Sequence, residues 1–171
     1  MLNNSVVSVD ATPNGRADAI SDDSKYFVLP EERKMKFPDF VKLFSNREKH
    51  EVLYLQHQNS SFTTEFSILS KDIDLEIDFA REAFAAKPDN VNFWLGENRS
   101  ITTCHKDPYE NLYAVICGEK RMTLMHPANY PFLYERNFPQ ARYFRKDASV
   151  DSPDSWQIIP LEPEAKVPWI S

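Results

Sequence analysis

The chain has 171 residues, a formal net charge of −6 and a hydrophobic fraction of 42%. This length fits one domain with a substantial core, and the acidic balance excludes the broad basic surface of a nucleic-acid-binding protein. Two cysteines are too few for a secreted disulfide framework. No apolar run approaches the roughly 20 residues that cross a bilayer, and the N-terminus lacks the pattern of a signal peptide. We therefore expect a cytoplasmic or nuclear protein with no membrane partner.

The first fifty residues are predicted to form an N-terminal turn and helical segment. Asn14-Gly15 is a turn signal. In FPDFVKLFSN (37–46), apolar side chains recur at helical spacing, and a proline suits the first turn. Further along, DLEIDFAREAFAAKP (74–88) predicts a second helix that ends near Pro88, with the acidic run of 71–79 on its solvated face.

Residues 51–171 are predicted to form the first part of a mainly β structure. Four short segments are rich in β-branched and aromatic residues and are bounded by turns: EVLYLQH (51–57), VNFWLG (91–96), NLYAVIC (111–117) and KRMTLMH (120–126). Gly118-Glu119 would join the last two as a tight hairpin, and Cys104 and Cys117 would be small core residues. Helices followed by antiparallel strands indicate an α+β fold with a β-sandwich or jelly roll, in a single domain over 1–171.

A histidine and an aspartate stand two residues apart in the stretch TTCHKDPYENLYAVICGEK (102–120). If this segment is extended, His105 and Asp107 point to the same side. An imidazole nitrogen and a carboxylate oxygen are two of the three ligands in the facial triad of non-haem Fe(II) oxygenases. The pair alone is also compatible with an ordinary polar strand edge.

The predicted hairpin adds a cation to the same region. Asn111 and Tyr113 share one face of their strand, and Lys120 lies on one face of the partner strand. An inward lysine is costly unless a carboxylate pairs with it, and a dicarboxylate cosubstrate would be such a partner. The alternative, a lysine head in solvent, stays open from spacing alone.

The series Thr102-x-x-His105-x-Asp107-x-x-x-Asn111, with Lys120 nine residues later, resembles the core motif of the JmjC-domain 2-oxoglutarate oxygenases. The similarity is greatest to the branch of small asparaginyl and lysyl hydroxylases, and it extends from about residue 5 to 170 through VLYLQHQ, VNFWLG, GEKRMTLMHP and KVPWI. It implies a cupin-like double-stranded β-helix, or jelly roll, of JmjC type, incomplete at the C-terminus and with N-terminal helices.

The resemblance also implies roles for individual residues. His105 and Asp107 would ligate Fe(II). The cosubstrate 2-oxoglutarate would be held by a set of polar side chains: Tyr54, Thr102, Asn111, Tyr113 and Lys120. The substrate would be a protein, with hydroxylation of a lysine side chain in a GTP-binding protein partner.

One ligand of the triad has no counterpart here, because the family's second histidine would lie past residue 171. His126 falls at a proline turn in the family pattern, and His50 stands among charged residues. His57 lies an odd number of residues after Tyr54, so its side chain would point away from the face of Tyr54. We therefore also consider a truncated, non-catalytic cupin-fold binding protein that lacks the third iron ligand. The 171-residue chain is itself expected to be a poor or inactive enzyme and prone to oligomerise. Peptidase activity is a third alternative, although no HExxH motif or nucleophile–base pair supports it.

Overall fold

A computed structural model of the chain describes residues 5–46, 48–147, 149–163 and 165–171. Within these ranges the chain is mainly β, with eleven strands and two α-helices. The helices are α1 (Phe37–Ser45) and α2 (Asp78–Phe84). The strands are β1 (Val6–Thr12), β2 (Arg16–Ala17), β3 (Ala19–Ile20), β4 (Phe27–Leu29), β5 (Glu31–Lys36), β6 (Val52–Leu55), β7 (Leu95–Gly96), β8 (Ile101–Thr102), β9 (Arg136–Arg145), β10 (Trp156–Pro160) and β11 (Lys166–Trp169).

The first sheet has the strand order β5-β1-β6-β7, and every neighbouring pair in it is antiparallel. Its central strand β1 is rich in valine, which favours extended chain. Because side chains alternate across a strand, Val7, Val9 and Ala11 share one face, and all three are fully buried. The opposite face carries Asp10, which lies across from Tyr54 of β6. The candidate site is built on this second face.

Helix α1 covers the apolar face of the first sheet, as its apolar spacing predicts. Pro38 lies in its first turn, where a missing N–H is harmless. Phe40 is fully buried and packs in one cluster with Leu53, Leu55 and Phe66. Burying a phenylalanine of this kind contributes about 1.5–3 kcal/mol to folding. The helix therefore anchors β6, and with it Tyr54.

The second sheet has the order β10-β9-β4-β3, with β11 also paired to β9. The long strand β9 pairs with β11 through its first half and with β10 through its second half, both antiparallel. Strand β4 joins β9 in parallel. A separate parallel pair, β2 with β8, places Thr102 opposite Ala17. Neither helix of the described chain is long and apolar enough to cross a membrane.

A buried ionic cluster joins the two sheets. The carboxylate of Glu51 is almost wholly buried and accepts hydrogen bonds from Arg33 at 2.7 Å and from Arg145 at 2.8 Å. Arg33 lies on β5 of the first sheet, and Arg145 ends β9 of the second. Burial acts to raise the pKa of Glu51, but the two guanidinium groups outweigh it and hold that pKa below its ordinary value.

The N-terminal part differs from the predicted turn and helical segment. Helix α1 and the turn at Gly15, whose φ is +80°, are confirmed. Five strands precede α1, however, and β1 is the central strand of the first sheet. The prediction missed β1 because Ser8, Asp10 and Thr12, on the second face of this strand, are polar. The segment therefore has no long apolar run.

Two of the predicted strands are wrong. The segments 111–117 and 120–126 are joined by a bend at Gly118, whose φ is +81°, but they form no strand pairing. Their apolar side chains stay in solvent; Ile116 is 75% exposed and Leu124 is 89% exposed. Local β propensity does not by itself make a strand, since a lone two-stranded ribbon is only marginally stable in water. Of the other predicted strands, β6 is confirmed, and VNFWLG contributes only β7.

Two smaller predictions also need correction. Helix α2 begins at Asp78 and ends at Phe84, because Ala85 takes a left-handed conformation before Pro88 is reached. The acidic run of 71–79 therefore lies largely outside the helix. Its side chains are exposed or half-buried, in line with the predicted solvated position. Cys104 and Cys117 are exposed free thiols, not core residues.

Candidate cosubstrate and metal site

Tyr54 is the best-anchored residue of the candidate site. It lies on β6, every residue of which is buried, and it faces away from the cluster under α1. Its phenol lies close to the Tyr113 phenol and the Thr102 hydroxyl. Burial, together with the neighbouring Tyr113 phenol, raises the pKa of Tyr54 to about 12, so the hydroxyl stays protonated and can donate.

Lys120 completes a polar group with these side chains. Its Nζ lies 3.4 Å from Oγ1 of Thr102 and 5.7 Å from the centroid of the Tyr54 ring. The side chain is half-buried, and among the described residues no carboxylate lies within ion-pair distance of its ammonium. An ammonium beside two hydroxyl groups and without a carboxylate partner in the described chain is suited to an anionic ligand, and a carboxylate in that position would form charge-assisted hydrogen bonds.

A buried donor without a partner lies beside this group. Trp94 precedes β7 and, by strand alternation from Gly96, shares the face of Tyr54. Its ring packs at a tilt against that of Tyr113, with centroids 5.0 Å apart. The indole Nε1 is buried and has no hydrogen-bond partner among the described residues. Such an orphaned donor costs about 1–3 kcal/mol and would be satisfied by an oxygen of a bound ligand.

His105 and Asp107 lie side by side, as their spacing predicts, although 103–107 is not part of a strand. Nε2 of His105 is 3.6 Å from Oδ2 of Asp107. The other ring nitrogen, Nδ1, is 2.8 Å from the backbone oxygen of Thr103. A carbonyl oxygen only accepts, so Nδ1 carries the hydrogen; in the neutral imidazole, Nε2 then presents a lone pair. Two ligand bonds of roughly 2.1 Å each would span the gap to Asp107.

The described residues offer two ligands at this point and no third. Nowhere in the described ranges do three His, Cys, Asp or Glu side chains gather in a way that could hold a metal ion. His126 accepts a hydrogen bond from the backbone N–H of Ala128 and begins a 3₁₀ turn, so its role is local. Asn111 is exposed and makes no hydrogen bond within the described chain, so the structure does not bring it into the polar group.

Sequence reasoning missed two residues of this region. Gly96 lies directly opposite Tyr54 in the β6–β7 pair, and the Tyr54 ring covers it. Trp169, at the end of β11, stacks on the ring of His105. A signal was available for the first, because Gly96 is one of three glycines in the chain and ends a predicted strand. Nothing in the sequence pattern links Trp169 to His105.

Comparison with known proteins identifies the family of this chain. The family model described as "Cupin-like domain" matches residues 2–170. This chain belongs to the cupin-like family and is of JmjC type. Its match to lysine-specific demethylase JMJ32 of Arabidopsis thaliana is 41% identical and covers 99% of this chain and 49% of that protein.

Two further relatives of this JmjC-type chain show the same extent of similarity. The chain is 37% identical to JmjC domain-containing protein E of Dictyostelium discoideum, over 96% of its own length and 50% of the relative. It is also 37% identical to the human bifunctional peptidase and (3S)-lysyl hydroxylase JMJD7, again over 96% of its length and 50% of the relative. The chain therefore spans about half the length of the curated relatives it matches. The predicted family and its mainly β, cupin-like fold are confirmed.

The residues of this JmjC-type chain fit the family's cosubstrate and, in part, its metal. The orphaned indole N–H and the unpaired ammonium of Lys120 both suit an anionic, oxygen-rich ligand such as 2-oxoglutarate. His105 and Asp107 present one nitrogen and one carboxylate oxygen, a donor pair that suits Fe(II). The roles assigned to these residues stay predictions, which the experiments below address.

Proposed function

We propose that this chain carries the cosubstrate clamp and two iron ligands of an Fe(II)- and 2-oxoglutarate-dependent protein hydroxylase. The observation that carries the proposal is the half-buried ammonium of Lys120, 3.4 Å from the hydroxyl of Thr102 and without a carboxylate partner in the described chain. Thr102 stands three residues before His105. Thr102 of the clamp and the ligand pair thus belong to one short segment.

Each side chain has a distinct task in this proposal. Lys120 and the hydroxyls of Thr102 and Tyr54 bind the distal carboxylate of 2-oxoglutarate, which places its other end toward the metal ligands. His105, with Nδ1 protonated, and Asp107 hold Fe(II). The reaction class consumes 2-oxoglutarate and dioxygen and yields succinate, carbon dioxide and a hydroxylated C–H position. Iron supplies the redox chemistry, and the protein supplies binding and orientation.

The proposed substrate is a lysine side chain of a protein. Two relatives support it, since one is named a (3S)-lysyl hydroxylase and another a lysine-specific demethylase. The net charge of −6 is compatible with a cationic side chain as partner. That the lysine belongs to a GTP-binding protein rests on the family resemblance alone. A cytoplasmic or nuclear location is supported by the two exposed free thiols, Cys104 and Cys117.

Calorimetric titration with 2-oxoglutarate, in the presence of Mn²⁺ as a metal that does not support turnover, tests the clamp. We expect saturable binding that is lost or strongly weakened in Lys120→Ala and retained in Lys42→Ala, an exposed lysine on α1. Equal affinity in the two variants would overturn the proposal. For the reaction, mass spectrometry of a lysine peptide separates hydroxylation, which adds one oxygen atom, from demethylation, which removes a methylene unit.

A second candidate is a cupin-fold protein that binds 2-oxoglutarate without turning it over. It is favoured by the presence of only two converging ligands among the described residues. Succinate release with Fe(II) and 2-oxoglutarate discriminates between the two. Binding without iron-dependent succinate release supports this candidate, whereas robust release from a monomer refutes it and requires a third ligand that the described geometry does not supply.

A further inference from the structure

We infer that Trp169 is a positioning residue for His105: it restricts the plane of the imidazole ring and, through Thr103, helps to fix which ring nitrogen faces the metal. The inference rests on the proposed role of His105 as an iron ligand. Trp169 is the last residue of β11 and lies 64 positions beyond His105 in the chain (169 − 105). Their association is therefore a product of the fold.

The two rings are parallel. The centroids of His105 and Trp169 are 5.5 Å apart, and the ring planes differ by 8°. The buried ring of Phe27 also packs against the indole, at a tilt and with centroids 4.6 Å apart. Pairing of β11 with β9, with Trp169 opposite Arg136, fixes the backbone that carries the indole. Trp169 is thus a rigid surface, supported by both sheet pairing and core packing, against which the imidazole rests.

A chain of hydrogen bonds connects the same indole to the backbone that holds His105. Nε1 of Trp169 donates to Oγ1 of Thr103 at 3.1 Å, and that hydroxyl donates to the backbone oxygen of Asp18 at 2.6 Å. An indole N–H only donates and a carbonyl only accepts, so the direction of both bonds is determined. The Thr103 hydroxyl is therefore held at both ends, and its residue is tied to β11 and to the turn at Asp18.

The backbone oxygen of this tethered Thr103 is the acceptor for Nδ1 of His105, at 2.8 Å. The χ2 torsion of a histidine is intrinsically broad, so nothing within the residue decides which nitrogen points to Asp107. The stack restricts the ring plane, and the carbonyl of Thr103 selects the orientation. Together they leave the lone pair of Nε2 beside Oδ2 of Asp107, 3.6 Å away.

The functional consequence is a preorganised ligand pair. Two acceptor atoms beside each other repel in the absence of a cation, so without support the imidazole would turn away. Groups that orient a metal-bound histidine typically contribute 10- to 100-fold to metal affinity. We expect the same order for the unit formed by Trp169 and Thr103.

The test uses paired variants that separate the stack from the hydrogen bond. Trp169→Phe keeps an aromatic face and removes the N–H, while Trp169→Leu removes both. Thr103→Ser keeps the hydroxyl, and Thr103→Val removes it. The matched control is Trp156→Phe, because Trp156 lies on β10 and its indole packs against Tyr143. Each variant is compared by thermal unfolding, Mn²⁺ affinity by electron paramagnetic resonance, and heteronuclear NMR of labelled histidine, with the His105 signal assigned from His105→Gln.

At a pH where the imidazole is neutral, we expect one His105 tautomer, protonated at Nδ1, in the parent, Thr103→Ser and Trp156→Phe. Trp169→Leu and Thr103→Val should show a mixture of tautomers and about 10-fold weaker Mn²⁺ binding. Trp169→Phe should fall between these two groups. Should Trp169→Leu fail to fold, Trp169→Phe and Thr103→Val carry the test.

A folded Trp169→Leu or Thr103→Val with an unchanged tautomer and unchanged Mn²⁺ affinity would overturn the inference and leave Trp169 as a packing residue. If the parent itself binds no Mn²⁺ but the variants still change the tautomer, the proposed metal function fails and the positioning inference stands. If Asp107→Ala abolishes Mn²⁺ binding while the Trp169 and Thr103 variants do not affect it, the proposed metal function stands and the positioning inference fails.

Discussion

Gly96 lies directly across from Tyr54 in the β6–β7 pair, and the aromatic ring of Tyr54 occupies the space beside it. A Cβ atom on residue 96 would come within 2.9 Å of Cε2 and 3.0 Å of Cδ2 of that ring. The absence of a side chain at residue 96 thus allows the phenol to reach Thr102 and Tyr113.

Gly96→Ala should therefore displace the Tyr54 ring and weaken 2-oxoglutarate binding. Overpacking of this kind costs about 1–3 kcal/mol. Calorimetric affinities for the two single variants and for Gly96→Ala with Tyr54→Ala form a double-mutant cycle. If Gly96→Ala acts through the Tyr54 ring, it should have little further effect on 2-oxoglutarate affinity once Tyr54 is alanine. Fully additive losses of affinity in the double variant would show that the contact between residues 96 and 54 is irrelevant.

Lys120→Ala should weaken 2-oxoglutarate binding by about 1.5–3 kcal/mol, the range for hydrogen bonds to charged groups. The physical reason is that the ammonium faces the Thr102 hydroxyl at 3.4 Å without a carboxylate partner in the described chain. Titration of the variant beside Lys42→Ala checks the magnitude. Thermal stability should hardly change, because no ion pair within the described chain is broken.

His105→Ala and Asp107→Ala should each abolish specific Mn²⁺ binding, and any 2-oxoglutarate turnover, while leaving the fold intact. The Asp107 side chain is about half exposed, and neither residue belongs to the buried clusters. His126→Ala is the control, because His126 caps a local turn. Retained Mn²⁺ affinity in both ligand variants, or its loss in the control, would move the metal site elsewhere.

Glu51→Ala should lower the free energy of unfolding by about 3–5 kcal/mol, because it leaves two guanidinium groups without their buried carboxylate. Arg145 is affected most, since it is itself buried and its Nε has no partner among the described residues. Urea unfolding of this variant is compared with Glu76→Ala, which removes an exposed ion pair with Lys87. The exposed pair should contribute little, because solvent screens it. Equal effects of the two changes would contradict the assigned importance of the cluster.

Asp10→Asn should stabilise the protein at neutral pH and have little effect near pH 4. Burial raises the pKa of Asp10 to about 6 from an ordinary 3.8. Between these two values the folded state retains the proton while the unfolded state releases it, so stability falls as pH rises through this window. Thermal unfolding of the parent and of Asp10→Asn across this window should show the difference in stability between them growing as pH rises. A parallel pair of curves would mean that Asp10 titrates normally.

Local pattern was sufficient for several parts of this protein. The apolar spacing of 37–46 predicts α1, and the β-branched and aromatic composition of 51–57 predicts β6, because both patterns are properties of consecutive residues. The spacing of His105 and Asp107 likewise predicts two neighbouring side chains, which the structure shows, whereas the orientation of the imidazole depends on contacts with distant residues. The family resemblance rests on such short-range spacing too.

Only the tertiary structure decided which of these segments find partners. Segments 111–117 and 120–126 have strand-like composition and yet no ladder, while the half-polar 6–12 is a central strand. The stack of Trp169 on His105, and the bond from Arg145 to Glu51 across 94 positions, join residues that no periodicity relates. The physical reason is that strand pairing and burial depend on which distant surfaces meet. Sequence spacing carries information about neighbours along one element, and none about the surface that will cover it.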